Sequence, residues 1–112
     1  MIVHQGSCHC GAVEVELRDE LQDAAECNCS LCRRYAALWH YCSPDKVTVT
    51  GKVEGYVQGD RTLTTWRCAT CACITHWTAS DPDYNRMGIN LRMFDPTLWL
   101  SLPRRLVDGA SY

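Results

Sequence analysis

The sequence predicts a mainly β fold of many short strands with one small helix. Three observations lead there. Short segments either alternate apolar and polar residues or are β-branched throughout. Turn-forming residues interrupt the chain every ten positions or so, which keeps the strands short. The nine cysteines among 112 residues mostly lie two or three positions from another cysteine, so they punctuate the chain as tight knuckles.

Taken in order, Gly6-Ser7 and Gly11 bracket the first pair, Cys8-His9-Cys10, and suit a turn whose N–H groups face sulfur. Val13-Glu14-Val15-Glu16-Leu17 alternates with period two, which makes it a half-buried strand with the three apolar residues inward. Asp19 to Glu26 is polar and acidic and reads as a loop. Residues 29–38 fit a short helix that would put Cys29 and Cys32 on one face. Ser43-Pro44-Asp45 is a turn. Val47-Thr48-Val49-Thr50 is a strand closed by Gly51, and Val53 to Val57 is another. Thr62 to Arg67 and Ile74 to Thr78 read as the two arms of a hairpin whose turn is Cys68 to Cys73. Asp81-Pro82-Asp83 is a turn and Arg86 to Leu91 a strand. Phe94-Asp95-Pro96 ends that unit, and Leu98 to Val107 is either a short helix or an irregular tail. No repeat, low-complexity tract or linker divides the chain, so one domain over residues 1–112 is expected.

Apolar residues make up 46% of the chain and charged residues 21%, a globular balance that excludes disorder. No apolar run approaches the ~18 residues of a membrane span, and residues 1–6 lack the features of a signal peptide. Eleven basic against thirteen acidic residues give a net charge of −2, which argues against a nucleic-acid partner held by phosphate neutralisation. An odd number of closely spaced cysteines without an export signal points to a reducing, cytoplasmic-type compartment and to thiolate-bound metal over a disulfide framework.

Spacing sorts the cysteines into two sets. Cys8 with Cys10, and Cys68 with Cys71, form two knuckles that together offer four thiolates to one tetrahedral ion, a closed zinc site that would stabilise a small β domain. Cys27, Cys29 and Cys32 offer three thiolates with no fourth at knuckle spacing. Three protein ligands and an open position mark a catalytic type of zinc site. Three thiolates donate strongly to the ion and blunt its Lewis acidity, so such a site suits holding a substrate thiol better than making hydroxide. Arg33 and Arg34 would offset the excess negative charge, or form a solvated helix face. Cys42 and Cys73 read as small buried side chains, with Cys42 or His40 the lesser alternative for a fourth ligand to the second ion. His4, His9, His40 and His76 share no ligand spacing. Trp39, Trp66, Trp77 and Trp99 read as core and pocket walls.

Together, Gly6-Ser7-Cys8-His9-Cys10-Gly11-Ala12-Val13, then Cys27-Asn28-Cys29-Ser30-Leu31-Cys32-Arg33-Arg34, then Cys68-Ala69-Thr70-Cys71 resemble the glutathione-dependent formaldehyde-activating enzyme family, which shares its domain with centromere protein V. Gly51 with Tyr56, Thr75-His76-Trp77 and Gly88-Ile89-Asn90-Leu91-Arg92-Met93 extend the likeness along the chain. The resemblance implies a zinc-stapled β-tent of short antiparallel strands. It implies a structural zinc on Cys8, Cys10, Cys68 and Cys71, and a second, catalytic-type zinc on Cys27, Cys29 and Cys32. It also implies a reaction: joining a small-molecule thiol and an aldehyde, as in S-(hydroxymethyl)glutathione, or cleaving the adduct as a carbon–sulfur lyase. Arg33, Arg61 and Arg92 are then candidate anchors for the carboxylates of a peptide thiol. The alternative is a non-catalytic, two-zinc interaction module, whose chromatin-binding versions should carry a basic arm that is missing from this acidic chain. A redox role for Cys29 and Cys32 is a third class. Ala72 stands where the family usually has glycine. A left-handed residue there would be strained as alanine, so a different local turn is expected.

Overall fold

The computed structural model describes residues 2–59 and 61–111. Among the described residues, ten strands form two sheets. They are β1 (His4–Ser7), β2 (Glu14–Leu17), β3 (Ala24–Cys27), β4 (Trp39–Cys42), β5 (Val47–Thr50), β6 (Val53–Val57), β7 (Leu63–Cys68), β8 (Ile74–Ala79), β9 (Met87–Asn90) and β10 (Arg104–Val107). The small sheet has the order β1-β2-β5, and the large one β10-β3-β4-β9-β8-β7-β6. The mainly β reading of the sequence holds.

The period-two segments became strands as their patterns dictate. Val15 and Leu17 are fully buried, while Glu14 points outward. The two arms flanking Cys68 to Cys73 pair antiparallel as β7 and β8, with a bulge at Trp66/Arg67. Val15 and Leu17 of the small sheet meet Ala24, Cys42, Met87 and Ile89 of the large sheet in one apolar cluster completed by Leu38, Leu91 and Phe94. Each such side chain taken fully from water contributes about 1.5–3 kcal/mol. Cys42 belongs to this core, as its small, apolar character suggests.

The opposite face of β4 carries Trp39 and Tyr41, because successive side chains alternate across a strand. They pack with Ala25, Ala37 and Trp77 in a second cluster that also takes in Cys27 and Cys32. Gly88 lies opposite Trp77 and lets the indole lie directly on the β9 backbone, since any Cβ at Gly88 would collide with Trp77 Nε1. The arrangement makes an aromatic wall beside the cysteines, with the Tyr41 and Trp77 rings tilted at 57° to each other.

Several elements depart from expectation. The helix read over residues 29–38 is one turn, α1 (Cys32–Tyr35). Ala36 ends it in the left-handed region at φ 55°, with its N–H returned to the Cys32 carbonyl, and the chain turns into β4. A second helix exists, α2 (Pro96–Trp99), where one was expected in all. Asp95 caps it by accepting from the Thr97 N–H at 2.9 Å, and Pro96 stands at its first position. Nor are the strands all antiparallel: β10 pairs parallel with β3, Val107 opposite Cys27. The acidic stretch read as a loop therefore ends in a strand, whose Ala24 and Ala25 are fully buried. No helix among the described residues is long and apolar enough to cross a membrane.

Candidate metal centres and the cavity beside them

The first cluster lies between the sheets. Cys8 and Cys10 sit in the turn after β1, which is closed by the Cys8 N–H to the Val13 carbonyl at 3.0 Å and by Gly11 at φ 82°. Cys68 ends β7, and Cys71 follows in a turn closed by the Cys68 N–H to the Cys73 carbonyl at 2.9 Å. The turn there is left-handed after all, because Ala72 adopts φ 66° and bears the strain that glycine would avoid. The four sulfurs lie within 4.8 Å of one another. Cys10 Sγ is 3.7 Å from both Cys8 Sγ and Cys68 Sγ. A tetrahedral ion with Zn–S bonds of ~2.3 Å sets its sulfurs ~3.8 Å apart, so the donor set fits zinc in number, type and spacing.

Main-chain donors prepare these sulfurs as thiolates. The Val13 N–H donates to Cys8 Sγ at 3.3 Å and the Thr70 N–H to Cys68 Sγ at 3.3 Å. The N–H groups of Cys73 and Cys10 bring the Cys71 thiol down to about 5. A hydrogen bond to the charged form of a group favours that form. Cys8 and Cys68 are 3% and 1% exposed, so the cluster is closed to solvent on their side.

The second cluster is built differently. Cys27 ends β3, Cys29 lies in the following turn and Cys32 opens α1. Their sulfurs also lie within 4.8 Å of one another, and among the described residues no fourth cysteine, histidine or carboxylate joins them. The Cys32 N–H donates to Cys29 Sγ at 3.3 Å. Against the cost of burial, that bond and the neighbouring thiols lower Cys29, whereas burial raises Cys32. All three side chains are half-buried.

A carboxy-terminal clasp covers this cluster. The Asn28 N–H donates to the Val107 carbonyl at 3.0 Å, Asn28 Nδ2 to Asp108 Oδ1 at 2.9 Å, and the Ala110 N–H to Asn28 Oδ1 at 2.9 Å. These bonds press Gly109 onto the cysteines so closely that a Cβ there would stand 2.5 Å from Cys27 Sγ.

A cavity of about 400 Å³ opens beside the three thiols, walled by Trp39, Tyr41 and Trp77 and bordered by Arg86 and Arg105. No carboxylate among the described residues lines it. Arg105 stacks over the Tyr41 ring at 5.7 Å and bonds Asp23 at 3.2 Å. A smaller cavity of about 300 Å³ shares Cys27 and Cys32 and is bordered by Arg33 and Arg92. Arg92 is partly committed, since its Nε donates to the Ala36 carbonyl at 2.7 Å and its guanidinium lies over Trp99 at 5.0 Å. Arg61 is exposed in the β6–β7 connection and lines neither cavity.

Trp39 stands out. It is 1% exposed, and its indole Nε1 is the one buried side-chain nitrogen or oxygen among the described residues without a hydrogen-bond partner. A buried donor left unpaired costs about 1–3 kcal/mol.

The chain matches the sequence profile of the glutathione-dependent formaldehyde-activating enzyme family over residues 3–104. It belongs to that family. A crystal structure of a Rhodobacter sphaeroides protein is similar to it, with 34% identity and a TM-score of 0.72, over 90% of this chain and 99% of that one. No curated protein matches the sequence. The family match spans all seven clustered cysteines, while Arg105, Val107 and Gly109 lie beyond it. Sequence reasoning missed Arg86 and Arg105, because nothing local announces that β10 returns beside β3. The aromatic alternation Trp39-His40-Tyr41 was the available signal for the wall of the cavity.

Proposed function

We propose that the chain is a zinc-dependent enzyme that forms or cleaves a thiol–aldehyde adduct, with S-(hydroxymethyl)glutathione as the type substrate of the family. The observation that carries this reading is the contrast between the clusters. Four cysteines make a closed set, whereas Cys27, Cys29 and Cys32 leave a position open beside a cavity of about 400 Å³.

Zinc bound there supplies a cationic position at which a thiol ionises near neutral pH. The rest falls to the chain's own residues. Trp39, Tyr41 and Trp77 keep water from the thiol and hold a small aldehyde within reach of it. Arg86 and Arg105 take the carboxylates of a peptide thiol, and no carboxylate among the described residues lines the cavity. In the forward direction the sulfur lone pair forms the C–S bond and the carbonyl π pair moves to oxygen. That oxygen takes up the proton lost by the thiol, so RSH and H₂CO give RSCH₂OH with no redox change. Free thiols at all nine cysteines suit a reducing, cytoplasm-like compartment.

The test is the exchange of formaldehyde with glutathione and other thiols, followed by NMR. The zinc-loaded protein should raise the rate above background, and Cys29→Ser should return it to background while remaining folded. Cys68→Ser should instead lower soluble yield and melting temperature, because structural zinc stores on the order of 10 kcal/mol of folding free energy in a domain whose margin is about 5–15 kcal/mol. A two-zinc protein with no acceleration for any thiol would leave a binding module in place of an enzyme.

A further inference from the structure

The buried indole N–H of Trp39 has a reason to be there that the metal-free thiols do not satisfy. Trp39 lies opposite Ala25 on β3, and Ala25 shares a face of that strand with Cys27, two residues on. Ala25 is small and buried, and Trp39 packs with it against Cys27 and Cys32. Trp39 packs against Cys32 and lines the same cavity with it, yet its N–H completes no hydrogen bond. A thiol sulfur is a weak acceptor; a thiolate is a strong one.

We infer that Trp39 is a positioning residue for the second metal centre, its Nε1–H donating to the Cys32 thiolate once an ion is bound. The inference rests on the reading that Cys27, Cys29 and Cys32 hold a metal. It separates the two centres chemically. Cys8, Cys68 and Cys29 accept from main-chain N–H groups, fixed by the backbone path. Cys32 receives its donor from a side chain. Such an outer-shell bond does two things: it fixes the rotamer of the ligand, and it draws charge from sulfur. In a centre with three thiolates, the second effect restores acidity to the ion and favours ionisation of an incoming thiol.

Two replacements test this. Trp39→Phe removes the N–H and part of the ring. Substitution of Trp39 by benzothienylalanine, with sulfur in place of the ring N–H, removes the donor alone and preserves the packing. Each protein is loaded with Zn²⁺ and, separately, Co²⁺. Metal per chain, affinity by chelator competition, and the thiolate-to-cobalt charge-transfer band are then measured. Both replacements should keep the four-cysteine ion, weaken the second by roughly 10–100-fold, the usual scale for an outer-shell partner, and shift the band of the second site. If the benzothienyl protein matches the parent in affinity and band while Trp39→Phe does not, packing explains the residue and the inference is overturned. If the parent itself binds one ion per chain under saturating metal, the reading of the three-cysteine cluster fails and the inference goes with it.

Discussion

Gly109→Ala should cost the chain its second metal and little else. The added Cβ would stand 2.5 Å from Cys27 Sγ and 3.1 Å from Cys29 Cβ. Heavy atoms in contact prefer ~3.5–4.0 Å, so either the clasp or the sulfur must yield by about 1 Å. The Gly109 backbone is held on both sides by bonds to Asn28, and Cys27 is held in β3 opposite Val107. The Cys27 side chain is the soft part: a rotation about χ1 relieves the clash by swinging the sulfur out of the cluster. Metal–ligand distances tolerate only about ±0.2 Å, so a shift of that size removes one of three ligands. The expected result is close to one ion per chain after gel filtration against a mild chelator, compared with two for the parent, and loss of thiol–aldehyde exchange. The melting temperature should stay near that of the parent, because the four-cysteine cluster and the apolar core are untouched. Gly59→Ala is the control, since a Cβ there meets nothing within 4 Å. If Gly109→Ala retains two ions at parental affinity, the clasp does not constrain Cys27 and the reasoning is wrong.

Two further outcomes follow from strain and burial. Ala72→Gly should stabilise the protein by about 0.5–1 kcal/mol: relief of ~1–2 kcal/mol at φ 66° outweighs the added freedom of the unfolded chain. Melting should rise by a few degrees, and an unchanged or lower value would show that the turn carries no strain. His76 is buried and its pKa is lowered by burial to about 4, below the ordinary 6.5. Its neutral form is the folded one, so its stabilising contribution is complete above pH 6.5. That contribution is lost progressively as the pH falls from 6.5 to 4, where the unfolded chain binds the proton and the folded one does not. The loss is about 3 kcal/mol. Urea unfolding at fixed saturating zinc should show a steeper decline for the parent than for His76→Gln over that window, and parallel curves would refute the assignment.

Much of this was legible in the sequence, for identifiable reasons. Strands such as Val47–Thr50 and Val53–Val57 are bounded by turn residues and fell where their patterns put them. The cysteine sets were legible because short spacing leaves few geometries. What could not be read was anything set by a distant partner. The Ala24–Cys27 strand has no pattern of its own; it exists because β4 and β10 flank it. α2 was written in Asp95-Pro96, an N-cap followed by proline, but its brevity hid it. Arg86 and Arg105 reach the cavity only through the pairing of β9 with β4 and of β10 with β3. Ala72 was expected to take a different turn from the one that suits glycine; the chain instead keeps the left-handed turn and accepts the strain.

The two clusters differ in what they close, which on the proposed reading lets one fold keep them for separate tasks. Cys8 and Cys10 lie between β1 and β2 of the small sheet; Cys68 ends β7 of the large one and Cys71 follows in the next turn, with Cys10 and Cys68 58 residues apart. An ion there ties the two sheets to each other and closes a long loop, where a crosslink constrains the unfolded chain most. Cys27, Cys29 and Cys32 lie within six residues at one end of the large sheet, so an ion there closes little and organises little. On the proposed reading, its free energy of binding is not needed for folding. That leaves its ligand number, its clasp and its Trp39 donor free to be shaped by what enters the cavity, while Cys8 and Cys68 hold the scaffold from the inside.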